Sequence, residues 1–198
     1  MFNHSLHYLK LTLITGFLAC ISHLAYADSL PAHPHAYKIG DIGPGGGFIF
    51  FVDNDKQYPG FKYLEAAPTD AASSDVWCND ASTSIPGTAG WDANAVGRGR
   101  ANTNAMLAEC SSGAARDADN YTTGSTHAGD WFLPSEGEAM LMYTNLRQAG
   151  VGGFAGGFYW SSTEGVSSNI AWVQDFGVGS QSNANKGLTR RVRAVRAF

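Results

Sequence analysis

The segment that most constrains the fold runs from Ser135 to Gly150. Ser135 followed three residues later by Glu138 is a capping box, in which the hydroxyl accepts from one free N–H at a helix start and the carboxylate accepts from another. Gly150 is placed to end the helix, because glycine takes the left-handed C-terminal conformation at no steric cost. Between them Ala139, Met142, Leu146 and Ala149 recur at helical spacing and form one apolar stripe. Such a stripe must be laid on something. Phe48–Val52 and Lys62–Ala66 before it, and Phe158–Ser162, Ile170–Phe176 and Leu188–Phe198 after it, are β-rich runs separated by Gly, Ser and Asn turns. A second helix, capped by Asn102 or Thr103, is expected through Ala105, Met106, Leu107 and Ala108. Strands, then helices, then strands predict an α+β domain with helices packed on a mainly antiparallel sheet.

Composition agrees and excludes alternatives. The chain has 198 residues, enough for one domain, with 15% charged residues and 24 glycines. A long coiled coil or a charge-rich disordered chain would need many more Lys, Glu and Arg. The glycines follow no three-residue period, which excludes collagen. A net charge of −4 supplies no global attraction to nucleic acid or an anionic membrane.

The first 27 residues read as a signal peptide: one cation before Leu11, an apolar stretch to Leu24, then Ala25-Tyr26-Ala27 for cleavage after Ala27. Lipoprotein processing at Cys20 is the minor alternative, since Phe17-Leu18-Ala19 fits that signal poorly. Later in the chain no apolar stretch approaches 18 residues, so no transmembrane segment is expected in the mature protein. The destination is the periplasm, the cell surface or the medium. Residues 28–36, with Pro31 and Pro34, form an extended lead-in, and residues 37–198 a single domain. Export leaves Cys78 and Cys110 as an even pair in an oxidising compartment, and a disulfide between them is expected.

Several motifs of chemistry reduce to turns. Gly40–Gly47 opens onto a strand and lacks the lysine and helix of a phosphate loop. Asp53-Asn54-Asp55 lacks the glycine and terminal glutamate of a calcium loop, so a structural calcium ion has no motif behind it and no cofactor is expected. His33 and His35 flank Pro34 on a solvated linker, and two distant cysteines with three mature histidines do not make a zinc site. Ser161 and Ser162 have only His127, outside the tail, as a conceivable base, and no nucleophile elbow surrounds them. Glu136 and Glu138 sit where a helix dipole favours acids. No catalytic residue is assigned. Residues 68–99 lack periodicity and hold Trp77, Cys78 and Trp91; stapling by the disulfide accounts for so long a loop, and its tryptophans either stack on a sugar ring or plug the loop into the core.

Gly129-Asp130-Trp131-Phe132-Leu133-Pro134-Ser135 leading into Glu138 resembles the Asp-Trp-Arg-Leu-Pro-Thr-x-x-Glu-Leu motif of bacterial domains similar to the C-terminal domain of the Legionella collagen-like protein, Lcl. Tyr159-Trp160-Ser161-Ser162-Thr163-Glu164, Ala171-Trp172 and Val192-Arg193-Ala194-Val195-Arg196 resemble its later segments in order. With Ile39–Gly47, Glu65-Ala66-Ala67-Pro68 and Gly99–Thr103 the resemblance covers nearly all of the mature chain. It implies a C-type-lectin-like fold, distantly similar to formylglycine-generating enzymes, in which N- and C-terminal strands pair and long loops gather on one side. Phe132 stands where the family usually has arginine. No late cysteine pair matches the copper site of the enzymes, and no Glu-Pro-Asn or Gln-Pro-Asp triplet matches calcium-dependent lectins.

Within these motifs Trp131, Leu133, Pro134, Trp160 and Trp172 are expected in the core, while Asp130, Ser161 and Thr163 satisfy backbone groups. Five of the 13 basic residues, Lys186, Arg190, Arg191, Arg193 and Arg196, lie in the last thirteen positions. In a strand Arg191 and Arg193 point one way and Arg196 the other. Arg193 and Arg196 suit pairing with core-edge carboxylates. Lys186, Arg190 and Arg191, joined by Arg98 and Arg100, are the candidates for an anion-binding patch, with Trp77 and Trp91 as sugar-stacking candidates. The expected function is an exported, non-enzymatic domain that binds a glycan, sulfated or acidic, or another surface polymer in adhesion. The alternatives are an envelope assembly module with a protein partner and, less favoured, a degenerate enzyme; nucleic acid is not an expected partner.

Overall fold

The computed structural model describes residues 36–198; the signal segment, Cys20, His33, His35 and most of the lead-in lie outside the described residues. Strands β1 (Phe48–Val52) and β2 (Tyr63–Ala66) form the expected antiparallel hairpin. Strand β3 (Ala72–Asp75) follows, then helices α1 (Trp91–Asn94), α2 (Gly99–Glu109), α3 (Ala114–Asn120) and α4 (Glu136–Met142), the last running on as a π-helical turn over Tyr143–Arg147. Strands β4 (Phe158–Glu164), β5 (Ile170–Asp175), β6 (Gln181–Asn185), β7 (Arg190–Val192) and β8 (Val195–Ala197) complete the domain. The architecture is α+β, with two sheets ordered β1-β2-β8 and β3-β7-β4-β5-β6. Among the strands described, each pair is antiparallel except β4 with β7, which meet in parallel at Tyr159 and Arg191.

The single C-terminal strand expected over Leu188–Phe198 is divided. Its halves join different sheets, because the chain turns Arg193 inward at the break. That guanidinium is 2% exposed and donates to Ala67 O at 2.8 Å, Gly152 O at 2.7 Å and Asp70 Oδ1 at 2.8 Å. Beyond the break β8 pairs with β2, so the N-terminal hairpin and the C-terminus share one sheet. Glu65 of β2, wholly buried, locks this junction: it accepts from the backbone N–H groups of Gly45 and Gly47 and from Arg196 Nη1 at 2.6 Å. Gly47 is obligatory there, since a Cβ would collide with the carbonyl of Ala66.

The capping box of α4 is present in both directions, and Gly150 has φ 72° as a C-terminal cap requires. Helix α2 starts at Gly99, three positions before the expected cap. Asn102 and Thr103 are instead buried and bond to Ala93 O and Leu133, tying α2 to its neighbours. Two short helices and two strands escape the sequence reading. α1 is a single turn; α3 buries only Ala114, Ala115 and Ala118, whose small side chains give a faint stripe. β3 and β6 are polar edge strands with no apolar alternation.

The disulfide Cys78–Cys110 forms as expected and anchors the long loop to the end of α2. Around it lies a core containing Trp77, Met106, Trp131, Leu133 and Trp160. Each of the three indole N–H groups has a partner: Ser161 O for Trp77, Thr126 Oγ1 for Trp131 and Asp75 O for Trp160. Pro134 is buried alongside them. Trp77 is fully buried, which removes it from the sugar-stacking candidates: it is the plug of its loop. Trp172 departs the other way. Its partner strand places it on the outer face of the sheet, where it is only half-buried, because the inner face at that level is taken by Ala171 and Val173.

Candidate ligand-binding face

The expected basic patch does not assemble. Lys186 is wholly buried, with its ammonium on the Glu164 carboxylate and on Thr83 O, 4.3 Å from the centre of the Trp77 ring. A cation so enclosed is part of the loop anchor and cannot meet an external anion, which corrects its assignment as a ligand residue. Burial pulls its pKa down and Glu164 opposes that shift. Arg191 Nη1 lies 3.1 Å from Asp70 Oδ2, the carboxylate that also holds Arg193. Arg190 lies over the Phe158 ring, and Arg100 stacks on Phe132 while donating to the carbonyls of Gly129 and Asp130. Arg98 is exposed on the turn after α1, where its backbone N–H bonds to Ala95 O. As expected, Arg191 and Arg193 share a side, and Arg193 and Arg196 take core-edge carboxylates.

The motif hydroxyls are also occupied. Ser161 Oγ donates to Trp172 O, and Ser162 Oγ accepts from Asn102 Nδ2. His127 sits on an exposed turn where Asp130 accepts from its backbone N–H, so that carboxylate serves a surface turn and not a buried group. Glu138 is buried and accepts from the N–H groups of Ser135, Gly97 and Gly99; burial nevertheless pushes its pKa up to about 7. Among the described residues no three His, Cys, Asp or Glu side chains gather as a metal site.

A different surface has the makings of a site. On the β5–β6 hairpin, Ala171 and Val173 face the core with Ala184 opposite Ala171, while Trp172 faces outward opposite Asn183, and Gln174 is paired with Gln181. On the other side of β5, strand β4 is irregular between Trp160 and Glu164. There Thr163 Oγ1 donates to Ala93 O at 3.1 Å and accepts from Glu136 N at 3.0 Å. One hydroxyl thus docks the end of α1 and the start of α4 against the sheet. Gln181 Nε2 donates to Glu136 O at 2.9 Å and joins β6 to the same knot. A parallel bridge between Ala89 and Glu164 sends two chains out in the same direction, one to Trp91 and the other to Val166.

These bonds put unusual side chains on the rim. Trp91 is 88% exposed and Val166 99% exposed, in a protein whose other tryptophans are buried or half-buried. With Asn94 and Ala95, Trp91 lines a shallow depression of about 210 Å³. Nothing in the sequence distinguishes Trp91 from Trp77, since both sit in the same aperiodic loop. Burial of the Glu136 carboxyl raises its pKa. An exposed indole provides a flat apolar surface with a polar edge, suited to stacking on a sugar ring.

No protein-family model matches the chain, and no curated protein is significantly similar to it.

Proposed function

We propose that the chain is an exported, non-enzymatic binding domain of C-type-lectin-like type, related to the Lcl C-terminal domains, that recognises a surface glycan in adhesion. The observation that carries this reading is Trp91, left 88% exposed at the end of the sheet that also presents half-buried Trp172. Leaving an indole in water forgoes roughly 2 kcal/mol of burial, so a side chain held there by a short helix suits a ligand that covers it. Asn94 beside Trp91, Asn183 opposite Trp172 and Gln181 at the start of α4 supply amide groups for the polar contacts that orient a sugar. The binding face offered here is the α1 and β5–β6 rim, in place of the C-terminal cations.

The test is a glycan array probed with the mature protein, with and without calcium, beside W91A and W172A. Retention on at least one glycan that W91A abolishes supports the reading. Uniform silence, or binding indifferent to both substitutions, overturns it. A second reading, an envelope module with a protein partner, is favoured by Val166, a second apolar side chain left 99% exposed, two residues beyond the Ala89–Glu164 bridge.

A further inference from the structure

We infer that the ligand of this rim is a neutral saccharide that donates its hydroxyls, and not a sulfated or carboxylated polymer; the inference rests on the glycan-binding reading above. It follows from an imbalance of hydrogen-bonding groups. Six buried side-chain atoms among the described residues lack a partner, and three of them lie where α1, α2 and α4 meet beneath this face. They are Asn94 Oδ1, Asn102 Oδ1 and Glu136 Oε2, and every one is an acceptor. Buried polar atoms are nearly always satisfied, so a concentration of one type needs an explanation.

Asn102 is fully buried beneath the rim, where its Nδ2 donates to Ala93 O. Asn94 and Glu136 are only half-buried: Asn94 lines the depression with Trp91, and Glu136 opens α4, whose next residue, Gly137, packs close to the Asn94 carbonyl. A pyranose stacked on the indole presents hydroxyls around its edge, and those O–H groups are the donors these oxygens lack. Glu136, as a carboxylate, is the stronger acceptor of the two, since bonds to an ionised group are roughly twice as strong as neutral ones.

Charge points the same way. The elements that build the rim, α1, α4, β5 and β6, carry Asp92, Glu136, Glu138 and Asp175 and neither Lys nor Arg. Arginine and lysine side chains are what recognise sulfate or carboxylate groups, and beside these elements only Arg98, whose backbone N–H bonds to Ala95 O, offers one. An anionic polymer laid across Trp91 would bring its charges against Asp92 and Glu136 with the single cation Arg98 to compensate. The five C-terminal cations that suggested such polymers are committed elsewhere, to Glu164, Asp70, Glu65 and the Phe158 ring.

The experiment compares immobilised neutral gluco-, manno- and galacto-oligosaccharides with heparin of matched length, using the mature protein, W91A, N94A and E136Q. Far-UV circular dichroism and melting temperature confirm that each variant is folded. The expected result is retention on a neutral oligosaccharide, insensitive to 0.5 M salt, weakened about tenfold or more by W91A and by E136Q. If heparin is preferred in a W91A-sensitive manner, or if E136Q strengthens binding, the acceptor inference is overturned while the glycan-binding reading stands. If no saccharide of either kind is retained, both fall.

Discussion

The fate of Lys186 offers the sharpest quantitative test of the structure. Its side chain is 0% exposed and that of Glu164 is 2% exposed. The ammonium touches Glu164, Thr83 O and the Trp77 ring, while Glu164 also accepts from Ile85 N and Ser84 Oγ. K186M removes the cation but nearly keeps the volume. It leaves a buried carboxylate with neutral donors only and a carbonyl without a partner. Breaking a buried pair from one side costs about 3–5 kcal/mol. In a domain of this size each kcal/mol moves the melting temperature by roughly 2–4 °C, so K186M should melt about 10 °C lower. E164Q alone should also destabilise, because it abandons the ammonium. The double variant K186M/E164Q removes both charges, keeps an acceptor for Ile85 N, and should recover at least about 2 kcal/mol of the summed single losses. Urea denaturation followed by tryptophan fluorescence at pH 7 measures all four corners of the cycle. A K186M cost below about 1 kcal/mol, or a coupling near zero, would refute the enclosed pair and return Lys186 to the solvent-facing cations.

Other outcomes follow from the same structure. Reducing Cys78–Cys110, whose partners are separated by 32 positions, should cost about 3–4 kcal/mol in the chain-entropy account, read as a lower urea midpoint under dithiothreitol; two reactive thiols in the denatured, unreduced protein would disprove the bridge. S135A removes the α4 cap and the bond to Ala95 O, and should lower stability by about 1–2 kcal/mol. Asp117 has its pKa raised to about 7 by burial and by hydrogen bonding and charge from Asp75, and one of its oxygens is buried without a donor. Because the folded state holds that proton more tightly than the unfolded chain, with its value near 3.8, the contribution is full below pH 4 and is lost as pH rises through 7. Partial exposure reduces it to about 1–2 kcal/mol, and D117N should flatten that slope between pH 5 and 8 if the reasoning holds. W91A should leave the melting temperature within about 1 °C, since an 88% exposed side chain supports little; a larger fall would mean that α1 depends on it.

Much of the fold was readable where a signal is local. The Ser135–Glu138 box, the stripe of Ala139, Met142 and Leu146, the apolar runs of β1, β4 and β5 and the even cysteine pair each declare themselves within a few residues or by simple parity, whereas Ala149, expected in that stripe, is exposed past the π-helical turn. Edge strands such as Gln181–Asn185 do not: with one face in water and no flanking strand on one side, nothing forces an apolar alternation. The division of the last strand was equally hidden, because it depends on Arg193 finding Asp70, Ala67 and Gly152, all distant in sequence.

The functional residues divide along the same line. The sequence by itself determined that the domain is α+β, that its charge is low and that cations crowd its C-terminus. Only the tertiary structure decided which of them meet solvent. Strand periodicity says that Arg191 and Arg193 share a side and Arg196 opposes them, but not that carboxylates from β2 and the loop after it wait on both sides. Aromatic content says that tryptophans lie in the long loop, but not that the disulfide and Lys186 draw Trp77 into the core while a single turn of helix holds Trp91 out. Exposure is a property of what packs against a residue, and those partners come from the far ends of the chain.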